Sequence, residues 1–467
     1  MRIISKCVAI AAILCAGLAQ GAEKRKEQGG AWRTEKNGWI SVHLEGTPER
    51  IGFDHGRLLA PEIAELLGVL KPYYKLTTKR DWEFYRDAAE KVLWPKIEQE
   101  YRDEIDGIVA GLKSRDVKAD RRDIVALNAL EELPYYYVPW LDKKAGKKAS
   151  AHAPGNCSAF IATGSMTKDG RIVMGHNAWT NYVVGPRWNI VFDIVPSKGH
   201  RMFMDGLPGV IASDDDFGVN SAGIVVTETT ISQFFGWDSE GIPEFVRARK
   251  ALQYSKSIDD YVKIMSEHNN GGYANDWLVG DLKTNEIALF ELGLKHQMVK
   301  RTKDGCFFGA NFPVSEELTR DETTFDVHKK TSSPNARRAR WEQLMNNHKG
   351  SITAETGKKF ETDVFDAVSG LEGASERTIN GAVELSPRGS PEWDWAPFYP
   401  GGTVQAKVLD ASLGESLSFW ARIGHPGAAD FIADDFVKAR KEFADQKEML
   451  KDLKTKPWTL FKAGESR

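Results

Sequence analysis

Cysteine is scarce in this chain, which limits how covalent bonds can hold its fold together. Only four cysteines occur in 467 residues, and two of them, Cys7 and Cys15, lie in an apolar run near the N-terminus. The run follows basic residues and leads into small ones, a pattern typical of a secretory signal peptide that is too short to act as an anchor. We therefore predict a leader at residues 1–22, a secreted or periplasmic location, and a mature chain that retains only Cys157 and Cys306.

Several other features are missing. The mature part has no Pro/Ser-rich linker, internal repeat or low-complexity stretch, which favours one large body with a distinct N-terminal part. The formal net charge is -3, and loss of a basic leader makes it more negative, so no surface for nucleic acid is expected. A GxSxG elbow, an HExxH zinc motif and an EF-hand loop are absent. We predict no cofactor, and no membrane-spanning segment once the leader is removed.

The two remaining cysteines allow two interpretations. A disulfide between Cys157 and Cys306 is the simpler one, because disulfides persist in exported proteins. A chain of this length, however, buries a large core and does not need a single covalent staple. Because Cys157 stands alone within the stretch 155–160 (GNCSAF), at the head of a series of strands, it is instead a candidate nucleophile.

The periodicity of the apolar residues changes at Cys157. Before it, apolar residues recur at three- and four-residue spacings through residues 60–133, which predicts helices. After it, short runs predict strands, including one at residues 209–213, and runs of strands followed by helices favour a layered α+β fold. Further helices are predicted at residues 335–347, 363–371 and 430–450. We expect a mostly helical N-terminal segment at residues 23–156 and a core at residues 157–467 that ends in a C-terminal helix.

Four stretches resemble the phospholipase B-like family of N-terminal nucleophile hydrolases. In order, they are residues 157–161 (CSAFI), 175–179 (GHNAW), 207–217 (LPGVIASDDDF) and 223–230 (GIVVTETT). Two earlier stretches, 39–46 (WISVHLEG) and 51–60 (IGFDHGRLLA), resemble the related isopenicillin N acyltransferase-like proteins. The ordered set is more specific than any single stretch, and it extends from about residue 39 to about residue 431.

The resemblance implies a four-layer αββα fold and a precursor that cuts itself between Asn156 and Cys157, with the N-terminal segment retained as a smaller chain. It also implies hydrolysis or transfer of an acyl group from an amide or ester, with a small acyl amide or a lipid as substrate. A thiol has a pKa near 8.5 and needs a base. The α-amino group freed by the cut, with a pKa of about 7.7 to 8.0, supplies that base on the same residue. The acyl-enzyme is then a Cys157 thioester.

Further site residues follow from positions that match the relatives. Asn275 follows a Gly pair and precedes a predicted strand, and it is the candidate donor to the oxyanion, with a turn-forming role as the alternative. For His176 we favour an orienting or substrate-contact role over proton transfer. The candidate substrate contacts are Asn177, Trp179, Thr229, Thr230 and Arg337. Simple β propensity explains the threonines equally well, and Arg338 and Arg340 compete with Arg337.

Acidic and aromatic residues leave other functions open. The carboxylates of residues 214–216 could bind Ca²⁺, but no regular ligand spacing follows them, and we predict a structural or site-shaping role without metal. Asp216, Glu228 and the cluster at residues 392–395 also fit an exported carbohydrate-active or binding protein. A catalytically decayed relative is a third possibility. A papain-type protease is disfavoured because its cysteine should open a helix, whereas a strand is predicted here.

Overall fold

The computed structural model describes residues 30–147 and 157–465, so the predicted leader and Asn156 lie outside the described residues. Its strands are β1 Trp32–Lys36, β2 Trp39–Gly46, β3 Ser158–Thr163, β4 Val173–Asn181, β5 Ile190–Pro196, β6 Met202–Gly206, β7 Gly218–Asn220, β8 Ile224–Thr230, β9 Asn275–Asp281, β10 Glu286–Leu292, β11 Gln297–Thr302, β12 Gly305–Gly309, β13 Phe365–Asp366, β14 Leu371–Glu372, β15 Gly401–Asp410, β16 Ser418–Ile423 and β17 Thr459–Lys462. Its α-helices are α1 Pro48–Leu58, α2 Ala60–Thr78, α3 Trp82–Ala88, α4 Gln99–Lys113, α5 Arg121–Asn128, α6 Val138–Lys144, α7 Glu244–Tyr254, α8 Ile258–Ser266, α9 Glu316–Glu322, α10 Ser333–Asn347, α11 Ala354–Phe360, α12 Ala411–Glu415 and α13 Ala433–Ala439.

The strands form two large sheets. The first has nine strands in the order β1-β2-β5-β6-β7-β8-β9-β10-β11, and the second has six in the order β12-β3-β4-β15-β16-β17. Strands β2 and β5 run parallel, whereas β3 and β4, like β8 and β9, are antiparallel. The N-terminal segment is therefore more than helical, because β1 and β2 complete one edge of the nine-stranded sheet.

The two sheets pack face to face, with helices on both outer sides. Along β3, Ala159 and Ile161 point into the core between the sheets, whereas Phe160 points outward and packs on Trp341 of α10. This alternation is the two-residue period of a strand that is buried on both faces. Helices of the N-terminal segment and α7 cover the other sheet through a second large core. The predicted α+β, four-layer αββα arrangement is confirmed.

Helices α1 and α4 approach each other closely because glycines line their contact. A Cβ atom added at Gly52 would lie 1.9 Å from the Glu104 carbonyl oxygen, and one at Gly56 would lie 2.1 Å from that of Ile108. No larger side chain fits at these positions. The close contact fixes α1, which carries the buried His55 towards the nine-stranded sheet.

The strand predicted at residues 209–213 is not formed. Gly209, Asp214 and Asp216 adopt φ angles of 85°, 75° and 47°, and such left-handed conformations interrupt an extended strand. The backbone is held by side chains instead: the Gly209 N–H donates to His55 Nε2 at 2.8 Å, and the Ile211 N–H donates to the side-chain oxygen of Asn128 at 2.8 Å. This segment is a buried loop that reaches the site described below.

Two helix predictions were also wrong. Residues 363–371 enter the hairpin β13–β14, because Asp366 Oδ1 accepts from the Val368 N–H at 2.9 Å and starts a turn. Residues 430–450 contain only the short α13 and a 3₁₀ segment, and the core ends in β17 rather than in a helix. There Phe461 pairs with Phe419 of β16 and buries its ring at the sheet edge. In the described ranges, no helix combines the length and apolarity needed to cross a membrane.

Candidate active site

Cys157 immediately precedes β3 and is completely buried. Its Sγ lies 3.7 Å from Glu228 Oε1 on β8, so the thiol sits at the junction of the two sheets. Burial raises the pKa of the Cys157 thiol well above its usual value, and the carboxyl groups of Glu228 and Asp215 raise it further. Cys157 and Cys306 are both free thiols, which excludes the disulfide alternative.

A histidine and an acid complete a compact polar group around the thiol. The ligand atoms of Cys157, His176 and Glu228 all lie within 4.8 Å of one another. Burial lowers the pKa of His176 to about 3, so the imidazole is neutral. The ring makes no hydrogen bond to another described side chain, although Nδ1 lies 3.4 Å from Asp215 Oδ2.

Next to His176, the buried Lys407 binds two carboxylates, one on β6 and one in the loop that follows residues 209–213. Lys407 on β15 lies opposite His176 on β4, and its Nζ donates to Asp205 Oδ2 at 2.7 Å and also to Asp215. Burial acts to lower the pKa of Lys407, but the two carboxylates reverse this and the net shift is upward. Ser213 Oγ donates to the same two carboxylates at 2.9 Å each. In this structure Asp205 and Asp215 thus serve as hydrogen-bond acceptors for protein groups.

An arginine from α10 clamps the backbone beside the thiol. Ser332 caps this helix and so places Arg337 one turn inside it, where Nη1 donates to the Cys157 carbonyl at 2.7 Å and to Ser158 Oγ at 3.0 Å. Burial lowers the pKa of Arg337 to about 9, yet the guanidinium retains its hydrogen bonds. Of the three competing arginines, Arg338 pairs with Glu342 on the helix surface and Arg340 with Asp363.

Trp179 and Asn177, the two predicted substrate contacts on β4, have different surroundings. The ring of Trp179 lies 4.5 Å from the Arg337 guanidinium carbon, and its Nε1 donates to the Ile379 carbonyl at 3.0 Å. Asn177 instead donates from Nδ2 to the Glu361 carbonyl at 2.5 Å, while its side-chain oxygen has no partner among the described residues. Trp179 is therefore part of the arginine clamp, and Asn177 ties β4 to the end of α11.

Unpaired polar groups collect where β8 and β9 meet. Thr230 lies opposite Asn275, and Thr229 opposite Asp276, and all four side chains are fully buried. The Asn275 amide and both threonine hydroxyls lack a hydrogen-bond partner within the described residues. Leaving a buried polar group unpaired costs about 1–3 kcal/mol. Such groups are therefore candidates for contacts to a substrate or to water.

Comparisons with known proteins show sequence similarity to one family. A family model described as phospholipase B matches residues 75–300. Phospholipase B-like 1 of Bos taurus is 25% identical over 256 residues, which cover 49% of this chain and 45% of that protein. An uncharacterized protein of Archaeoglobus fulgidus is 26% identical over 274 residues, covering 54% of this chain and 42% of that protein. This chain is a relative of the phospholipase B-like proteins.

The relationship has defined limits. The matching part of the chain spans less than half the length of these two relatives. The phospholipase B match includes Cys157, His176, Glu228 and Asn275, and it ends before Arg337. Among solved structures, a variant of conjugated bile acid hydrolase from Clostridium perfringens is 14% identical with a TM-score of 0.29, covering 57% of this chain and 81% of that one.

Two residues of this site were missed by sequence reasoning. Tyr273 donates from its hydroxyl to Glu228 Oε1 at 3.0 Å, from a backbone with a φ of 50°. Asn311, after β12, donates to the Thr230 carbonyl and accepts from Arg337 Nη2, both at 2.8 Å. Asn311 has a φ of 68°. The only sequence signal for a special role was its position between the end of a Phe-Phe-Gly strand and Phe312-Pro313.

The residues of the carbohydrate alternative lie in other environments. Glu392 pairs with Lys329 at 2.9 Å, and Trp393 and Trp395 pack together in an aromatic cluster with Trp179. A cavity of about 350 Å³ lies between β1 and β17, where its lining includes Trp32 and Phe461 but none of the residues around Cys157. The aromatic rings thus support the arginine clamp.

Proposed function

We propose that this chain is an exported acyl hydrolase that uses Cys157 as its nucleophile and becomes active by cutting its own backbone after Asn156. The observation that carries the proposal is the buried thiol of Cys157, which is grouped with His176 and Glu228. Arg337 holds the backbone carbonyl of the same cysteine. The phospholipase B-like relationship supports acyl hydrolysis as the reaction class. Secretion rests on the leader pattern in residues 1–22.

The first reaction is the cut itself. Cys157 Sγ attacks the carbonyl carbon of Asn156, the C–N bond breaks, and the nitrogen of Cys157 takes up a proton as a thioester forms. We assign the thiol proton to Glu228, whose Oε1 lies 3.7 Å from Sγ, and the Glu228 carboxyl group then passes this proton to the Cys157 nitrogen. Burial raises the pKa of Glu228 well above its usual value, which makes the carboxylate a stronger base. Water then hydrolyses the thioester, leaving a free thiol and a free α-amino group on Cys157.

The second reaction uses the same sulfur on a substrate. The α-amino group accepts the thiol proton, Sγ attacks the substrate carbonyl, and the proton passes to the leaving amine or alcohol as a thioester acyl-enzyme forms. Hydrolysis of that thioester releases the acid and restores the thiol, and an amine in place of water would give acyl transfer.

The surrounding polar groups have different roles in this scheme. Asn275 Nδ2 is the proposed donor to the oxyanion, because its amide is fully buried and has no hydrogen bond to the other described residues. Arg337 and Asn311 hold the backbone at Cys157 and Thr230. His176 is an orienting group beside Asp215. Thr229, Thr230 and Trp179 remain candidate substrate contacts.

The cut is tested by determining the N-termini of the purified protein. We expect wild type to run as two chains under denaturing conditions, the larger beginning at Cys157, and Cys157→Ala to run as one. Cys306→Ala is the matched control and should be cut like wild type. A fully active wild-type protein that remains one chain would contradict self-processing.

The substrate class is tested with paired substrates that share one acyl chain and differ only in the bond to be broken. An N-acyl amino acid and the corresponding lysophospholipid ester are suitable, each assayed by release of the fatty acid. We expect hydrolysis of at least one by the cut protein and of neither by Cys157→Ala. Equal hydrolysis by wild type and Cys157→Ala would overturn the assignment of the nucleophile.

A further inference from the structure

The three side chains around the thiol have the donor atoms of a zinc site. Cys157 offers a sulfur, His176 a nitrogen and Glu228 an oxygen, and these atoms lie within 4.8 Å of one another. Three points with that maximum separation can share a centre no more than about 2.8 Å from each, which is close to the Zn–S distance of about 2.3 Å. Only small side-chain movements would bring all three atoms into coordination range.

One of the three separations already fits tetrahedral zinc. Bond lengths of about 2.3 Å to sulfur and about 2.0 Å to oxygen place the two ligand atoms about 3.5 Å apart at a tetrahedral angle. Cys157 Sγ and Glu228 Oε1 are 3.7 Å apart. Magnesium and calcium prefer all-oxygen sites, whereas a thiol and an imidazole favour zinc.

The hydrogen bonding of the ligands leaves room for a metal. The second oxygen of Glu228 is buried without a hydrogen-bond partner in the described part of the chain, and His176 makes no hydrogen bond to a described side chain. Asp215, held by Lys407, lies 3.4 Å from His176 Nδ1. With Nε2 bound to the metal, a carboxylate beside Nδ1 is the usual outer support of a zinc-bound imidazole.

We propose that Cys157, His176 and Glu228 together bind Zn²⁺ and that the bound ion blocks the nucleophile reversibly. Binding replaces the thiol S–H bond by an S–Zn bond and releases that proton to the buffer, without oxidation or reduction. The fourth position is taken by water or, after the cut, by the α-amino group of Cys157, which closes a five-membered chelate ring with the sulfur. The binding itself is independent of the proposed hydrolase activity, whereas the inhibition rests on it.

The binding is tested with Co²⁺ as a spectroscopic substitute for Zn²⁺. The full-length purified protein is equilibrated overnight with Co²⁺, and a thiolate-to-cobalt absorption band is expected with one ion per chain, displaced by Zn²⁺ but not by Mg²⁺. Cys157→Ser should lose the band, while His176→Gln and Glu228→Gln should weaken binding at least about 10-fold. Cys306→Ser, the matched thiol control, should bind as wild type does.

Retention of the band in Cys157→Ser, its loss in Cys306→Ser, or no band in wild type would each overturn the site. Circular dichroism of each variant identifies any that fails to fold, and the conservative Glu228→Asp then replaces Glu228→Gln, again with weaker binding expected.

Inhibition is measured separately: Zn²⁺ should suppress acyl hydrolysis and a chelator should restore it. A band without any hydrolytic activity would contradict the proposed function and leave the zinc site intact, whereas hydrolysis insensitive to zinc would refute the blocking role.

Discussion

Cys157 and Cys306 lie at neighbouring strands of one sheet, yet their surroundings differ completely. Cys306 on β12 pairs with Ala162 of β3, is partly exposed, and packs at the margin of an apolar cluster. Cys157, at the start of β3, is fully buried beside Glu228 and under the Arg337 clamp. Burial raises the pKa of both thiols. Both thiols have a raised pKa, so a raised pKa alone does not mark a candidate nucleophile. Full burial beside Glu228 and Arg337 distinguishes Cys157 from the packing cysteine Cys306.

The most severe test of this contrast removes each thiol in turn. We expect Cys157→Ala to lose at least about 1,000-fold in kcat/KM, because a nucleophile has no substitute. Cys306→Ala should stay within about twofold of wild type, since surface-proximal changes away from a site have small effects. The measurement is fatty-acid release by the purified proteins. Similar losses in the two variants would erase the contrast.

The second comparison is between two buried asparagines: the Asn275 amide has no hydrogen-bond partner among the described residues, whereas the Asn311 amide makes two hydrogen bonds. Asn275→Ala should lower kcat about 100- to 1,000-fold through loss of an oxyanion donor, with little change in the free energy of unfolding. Asn311→Ala should lower the unfolding free energy by about 1–3 kcal/mol, because the Thr230 carbonyl and Arg337 lose a partner. Steady-state kinetics and urea unfolding check both. An Asn275→Ala protein with wild-type kcat would remove Asn275 from the oxyanion role.

Two adjacent arginines on α10 provide a third comparison. Arg337→Lys should lower the free energy of unfolding by about 3 kcal/mol, since a lysine cannot reproduce the bonds to the Cys157 carbonyl and Asn311. Arg338→Lys should change it by less than about 0.5 kcal/mol, because Arg338 lies on the surface. Urea unfolding monitored by fluorescence measures both values. Equal values for the two variants would show that the clamp does not stabilise the fold.

The smallest effect concerns a buried histidine outside the site. His55 accepts from the Gly209 N–H, and burial, helped by Arg249, lowers its pKa to about 3. Because the unfolded chain takes up a proton near pH 6.5 and the folded chain does not, stability is complete above that pH and decreases as the pH falls. Between pH 7 and pH 5 this histidine should cost about 2 kcal/mol of unfolding free energy.

The non-titrating variant His55→Gln isolates this effect. We expect the unfolding free energies of wild type and variant, measured in urea at each pH, to converge by about 2 kcal/mol between pH 7 and pH 5. Parallel pH profiles would mean that His55 does not supply the dependence. His55 also sharpens the contrast with His176, which has the same lowered pKa but lies beside Cys157 and Glu228.

Much of the fold could be predicted because its signals are local. The change from a helical to a strand period at Cys157 depends on residues a few positions apart, and β3, β8 and β10 follow it. Failures occurred where backbone conformation depends on distant partners. The 209–213 loop resembles a strand in sequence, but His55 and Asn128 hold it in turns.

The sequence by itself determined that one lone thiol heads a run of strands, which asparagines, histidines and arginines are near it along the chain, and which family it resembles. Only the tertiary structure decided that Arg337 rather than Arg338 reaches Cys157, and that Lys407 supports Asp215 beside His176. The physical reason is that residue type and periodicity are local properties. Sheet register and helix packing, in contrast, bring together side chains from distant parts of the chain, and those contacts set burial, pairing and pKa.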